Sequence, residues 1–112
     1  MLTVEALRAY GANVDEAMKR CMNNEMFYIR LVTKALQDPS FEQLSEAVSA
    51  GDLDRGFELA HALKGVTGNL ALTPLYDPIC KITELLRSRT ETDYTGYLRT
   101  ILEKKDELAG MI

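Results

Sequence analysis

Residues 53–72 read LDRGFELAHALKGVTGNLAL. At about 100° per residue, Leu59, Leu63, Val66 and Leu70 fall within about 40° of the direction opposite His61. These four predict the buried stripe of a helix running from Leu53 to about Leu72, with Asp52 as its N-cap and Gly51 closing the element before it. His61, the sole histidine, then points away from the core. Its own face carries Phe57, Lys64, Gly65, Gly68 and Leu72, with Glu58 and Asn69 at the edges. A lone histidine on a soluble helix usually has no function. The glycines set this one apart, because each glycine inside a helix costs roughly 0.8–1 kcal/mol relative to alanine. Gly65 and Gly68 lie at i+4 and i+7 from His61, on the same face. Two such losses one turn apart make sense if something large must approach the imidazole. Lys64, at i+3, adds a mobile cation.

Outward from this helix, punctuation and periodicity divide the rest of the chain. Thr3 caps a short helix from about Val4 to Tyr10, closed by Gly11. Asn13, three residues before Glu16, opens a helix through about Met22, and Asn23-Asn24 breaks it. Tyr28, Leu31, Val32, Ala35 and Leu36 form the next stripe, ended by Asp38-Pro39. Ser40 with Gln43 predicts a capping box for a helix that turns Phe41, Leu44 and Val48 to one side. Beyond the central helix, Thr73-Pro74 restarts the chain, or Asp77-Pro78 does. Leu75, Ile79, Ile82 and Leu86 supply that stripe. A final helix from about Asp93 buries Tyr94, Tyr97, Ile101, the stem of Lys105 and Leu108. With no strand-like alternation, the expectation is an all-α antiparallel bundle with short loops in one domain, 1–112.

Composition limits the function classes. The 112 residues carry a net charge of -4 with no basic block, which argues against nucleic acid. Apolar runs fall far short of the ~20 residues of a membrane span. No signal peptide is seen, and two cysteines without framework spacing suit a reducing, cytoplasmic compartment. Cys21 and Cys80 are expected to be small buried hydrophobes, and Met18, Met22 and Met26 core filling. One histidine cannot ligate a haem or di-metal centre, and no acidic or His/Cys cluster has metal-ligand spacing. The serines lack a patterned histidine partner. No strand-to-helix Gly-rich loop holds ATP, so autophosphorylation is not expected.

An exposed imidazole beside a cation and a cleared ledge suits phosphoryl transfer. A neutral ring nitrogen attacks phosphorus, and the anionic product pairs with the lysine. An ordinary imidazole pKa of about 6.5 leaves much of the ring neutral near pH 7.

The run His61-Ala-Leu-Lys64-Gly65-Val-Thr-Gly68-Asn69-Leu-Ala71 resembles the signature of the histidine-containing phosphotransfer (HPt) domain. The Gly51-Asp52 approach, Ala60 and the stretch around Thr83-Glu84-Leu85 also fit, and the resemblance extends from about Asn13 to the C-terminus. Ala71 departs from it, since many members have glycine there, and Pro78 is less usual in the following helix. The resemblance implies an antiparallel four-helix bundle with short N-terminal helical additions, acting in a multistep two-component phosphorelay. His61 would accept a phosphoryl group, on the ring nitrogen distal to the backbone, from a receiver-domain aspartate and pass it to another receiver. Lys64 would offset the negative charge. No cofactor is implied, because Mg2+ belongs to the partner receiver. Expected partners are response-regulator receiver domains and a hybrid sensor kinase, with no nucleic acid or membrane, and the chain a monomer. The expected docking surface is Phe57, Gly65, Gly68, Asn69 and Leu72. Met26 and Ile29 either extend it or complete a wide core stripe. Glu58 either orients the ring or is a solvated face. Two alternatives remain: a non-phosphorylated helical adaptor for receivers, and the phospho-accepting bundle of a chemotaxis-type or hybrid kinase.

Overall fold

Helix starts are set by side chains that satisfy the first free N–H groups. In the computed structural model, which describes residues 1–112, Thr3, Asn13, Asn24 and Asp52 each accept the backbone N–H three residues on, at 3.0, 3.2, 3.0 and 3.1 Å. The elements are α1 (Val4–Tyr10), α2 (Val14–Arg20), α3 (Glu25–Leu36), α4 (Ser40–Ser49), α5 (Leu53–Asn69), α6 (Thr73–Arg87) and α7 (Thr95–Ala109), with no strand. The capping box expected of Ser40 and Gln43 does not form. Ser40 is already helical, and Asp38 Oδ1 accepts its N–H at 2.9 Å. Nor does α6 restart at Asp77. It begins at Thr73 with Pro74 in the first turn, and Pro78 lies inside it. Pro78, the sixth residue of the helix, lacks the N–H that would bond Pro74 O, so one helical hydrogen bond is lost past the first turn.

Left-handed residues close five of the helices. Gly11 (φ +113°), Met22 (+56°), Gly51 (+79°), Ala71 (+54°) and Arg89 (+50°) turn the chain after α1, α2, α4, α5 and α6. In each case the next N–H reaches back over the turn; Leu72 N donates to Thr67 O at 3.0 Å. The Ala71 turn has the largest consequence. It ends α5 at Asn69, short of the Leu72 to which periodicity alone extends the helix. Leu72 therefore leaves the outward face and is 0% exposed. Truncating a leucine this buried to alanine typically costs about 2–5 kcal/mol. A side chain at φ +54° is disfavoured, so this is where a glycine would fit with less strain.

The apolar faces meet in one cluster. α5 packs between α4 and α6, and α6 packs on α7. Its buried line is Gly56, Ala60, Leu63 and Thr67, with Leu70 just beyond, whereas Leu59 and Val66 are only half-buried. The line is thus rotated by roughly 50° from the expected one. The rotation brings small residues to the helix contacts. A Cβ on Gly56 would lie 2.9 Å from Val48 Cγ2 and 3.6 Å from Leu86, so hydrogen is all that fits there. Between α7 and α4, Lys105 Nζ pairs with Glu42 at 2.8 Å and lies 5.7 Å from the Phe41 ring centroid. Its stem is largely covered, as expected, as are Tyr94, Ile101 and Leu108.

The N-terminal helices fasten to the end of α5. Its last carbonyls have no partner within the helix. Arg20 donates to Gly68 O at 2.7 Å and Asn69 O at 3.0 Å, the Tyr28 hydroxyl to Leu70 O at 2.8 Å, and Asn13 N to Ala71 O at 2.9 Å. The Tyr10 hydroxyl ties α1 to α7 through Lys104 O at 2.8 Å. Met18 is half-buried, but Met22 and Met26 are 90% and 61% exposed and fill no core. Met22 falls in the turn after α2, at φ +56°. Cys21 is buried; Cys80 is only half-buried, and both are free thiols. No helix is long and apolar enough to cross a membrane.

Candidate functional site

His61 lies on the solvent side of α5, as its position opposite Leu63 requires. Its ring stacks on Phe57, one turn earlier, with centroids 5.7 Å apart and planes 22° from parallel. Phe57 is half-buried, and from α6 the Arg87 guanidinium sits 4.9 Å above its ring centroid. A cation over an aromatic face is attracted to it. The imidazole therefore rests on a side chain that is itself pinned from the neighbouring helix. Glu58 is exposed.

Lys64 is placed one turn after His61 on the same face. Its Nζ is 4.0 Å from Glu84 Oε1 on α6, and its side chain is 31% exposed. Glu84 Oε2 is also 3.3 Å from Arg87 Nε. Each of these is an exposed pair, worth at most about 1 kcal/mol.

Beyond Lys64 the surface opens into a groove of about 550 Å³. α5 supplies its floor with His61, Lys64, Gly65, Gly68 and Asn69; Asn13, Glu16 and Arg20 form one wall, and Thr73 and Tyr76 the other. The two glycines play different parts. A Cβ on Gly65 would meet nothing within 4 Å, so this stretch of helix backbone is bare. A Cβ on Gly68 would lie 2.9 Å from Tyr76 Cε1. Gly68 is a seat for the Tyr76 ring, not part of an open ledge. Tyr76 is held neutral above the ordinary tyrosine range chiefly by the neighbouring Cys80 thiol.

Of the sequence-derived docking residues, the structure gathers Gly65, Gly68 and Asn69 in the groove with His61 and Lys64, and sets Phe57 against the ring. Leu72 is withdrawn into the core. Met26 and Ile29 are not brought to the groove. They line a separate depression with Arg30, Thr33, Lys34 and Gln37, and Ile29 packs against the core. Arg20, Tyr76, Glu84 and Arg87 were not legible as site residues. Their places depend on how α2 and α6 dock on α5, and no spacing within a helix reports that. No three His, Cys, Asp or Glu side chains gather at metal-binding distance.

The arrangement offers an exposed imidazole, a lysine one helical turn further along the same face, and bare helix backbone at Gly65. An exposed imidazole of this kind is a competent nucleophile. Compared with known proteins, the chain matches no family profile, no curated protein and no solved structure.

Proposed function

We propose that this chain is a phosphoryl carrier of the HPt kind in a multistep phosphorelay. The observation that carries this is the exposed His61 ring beside Lys64, next to the uncovered backbone at Gly65. The bundle would be α4–α7, with α2 and α3 fastened at the end of α5 and α1 tied to α7. Contacts of α4 with α5, α5 with α6 and α6 with α7, and the Lys105–Glu42 pair between α7 and α4, support it. Two free cysteines suit a reducing cytoplasmic setting.

In the proposed step the distal nitrogen of His61 gives its lone pair to the phosphorus of a receiver's aspartyl phosphate. The N–P bond forms as the P–O bond to the carboxylate breaks, and the carboxylate leaves with that electron pair. The proximal N–H proton then passes to water. Passing the group on reverses the sequence at a second receiver. Phe57 fixes the plane of the ring, and Lys64 faces the charge of the transferred group. Most of the electrostatic stabilisation, Mg2+ included, resides in the receiver.

The test mixes aspartate-phosphorylated receiver domains with the wild type and with His61→Gln. Acid-labile, alkali-stable label on the wild type alone is expected. Since His61 is exposed on α5, the variant should keep wild-type circular dichroism. Label on both proteins, or on neither across a broad receiver panel with the fold intact, would overturn the proposal.

A further inference from the structure

We propose that Glu84 is a competing anion that sets how firmly Lys64 holds a phosphoryl group on His61. This rests on the carrier function above. Lys64 Nζ sits 4.0 Å from Glu84 Oε1, while Glu84 Oε2 is 3.3 Å from Arg87 Nε. One carboxylate therefore lies between two cations. One is the ammonium nearest the acceptor along α5; the other pins Phe57, on which the acceptor ring rests. The first link is long and, with Glu84 60% exposed, well solvated. Such a pair is worth little in water, so its exchange is cheap.

A phosphoryl group on His61 changes the competition. It carries up to two negative charges against one on Glu84, and at equal distance its attraction for Lys64 is about doubled. Lys64 can turn to it from the same face one helical turn away. Glu84 is not stranded by the exchange, because Arg87 still pairs with it. The other cation of the groove is already engaged. Arg20 donates to Gly68 O and Asn69 O and lies 3.4 Å from Glu16. Lys64 is thus the mobile charge, and Glu84 the group it must leave.

The experiment phosphorylates His61 with potassium phosphoramidate, which needs no protein partner. Its P–N bond breaks as the histidine N–P bond forms, and ammonia leaves, taking up the ring proton. The 31P resonance of the product is then titrated in wild type, Glu84→Gln, Lys64→Ala and the double variant. Glu84→Gln should lower the pKa of the phosphoryl group by about 0.3, the size expected of an exposed pair. Lys64→Ala should raise it. The effect of Glu84→Gln should vanish in the Lys64→Ala background, because it acts through the lysine. An unchanged titration in Glu84→Gln, or an equal shift in both backgrounds, would overturn the role of Glu84. Neither result touches the carrier function, which fails if charged receivers label neither the wild type nor His61→Gln, or label both.

Discussion

Replacing Gly65 by alanine separates what would stabilise α5 from what the site would use. Gly65 lies in the helix interior, and an added Cβ would meet nothing within 4 Å. No overlap offsets the gain in helix propensity, so the variant should be more stable by about 0.8–1 kcal/mol. For a chain of this size that corresponds to a melting point higher by about 4 °C. The same methyl would stand on the bare backbone of the groove, between His61 and Gly68. A receiver loop that must approach there would be held off by about 1 Å, and a displacement of that size can cost up to about 100-fold in rate. Thermal melts followed by circular dichroism, alongside transfer from a phosphorylated receiver, read both quantities. The expected result is a protein that melts higher and accepts phosphate at least about tenfold more slowly. A lower melting point would show that Gly65 has a packing role absent from this geometry. A higher melting point with unimpaired transfer would show that no partner uses the opening.

The opposite outcome is expected at Gly56, five residues before His61. There a Cβ would lie 2.9 Å from Val48 Cγ2, so Gly56→Ala should lose about 1 kcal/mol net, overpacking exceeding the propensity gain; a higher urea midpoint would refute this. Tyr28 provides a pH-dependent check. Burial, with a smaller contribution from Cys21, pushes its phenol up to about 12, against about 10 in the unfolded chain. Above about pH 10 the unfolded state binds fewer protons than the folded one, so this contribution is complete below that pH and is lost as pH rises through about 12. Tyr28→Phe should be less stable at pH 7 by about 1 kcal/mol, having lost its bond to Leu70 O. It should also lose stability less steeply above pH 10, and urea midpoints that fall in parallel with wild type would exclude Tyr28 as a source of the alkaline dependence.

How much of the site was legible depended on the range of the interactions involved. His61, Lys64 and Gly65 could be set on one outward face because i+3 and i+4 spacing is a property of a single helix. Leu72 could not be placed that way. The helical wheel holds only while the chain stays helical, and the left-handed Ala71 ends it first. The spacing of Gly68 from His61 predicts part of a cleared ledge, but the missing side chain makes room for Tyr76, which arrives from α6. Met26 lies off the Tyr28 stripe, yet it neither joins the groove nor fills the core: it is exposed and lines a different depression.

The sequence by itself determined where most helices begin and end. Capping by Thr3, Asn13, Asn24 and Asp52, and the turns at Gly11 and Gly51, are contacts within a few residues of chain. It also determined that His61 faces outward, since a stripe centred near Leu63 leaves it no other side. Only the tertiary structure decided what surrounds that histidine. Arg87 over Phe57, Glu84 beside Lys64, and Arg20 on the last carbonyls of α5 each join residues on different helices. Their pairing is set by the angle and register at which α2 and α6 pack on α5. Those depend on the fit of Gly56, Ala60 and Leu63 against their neighbours, which hydrophobic periodicity leaves unspecified.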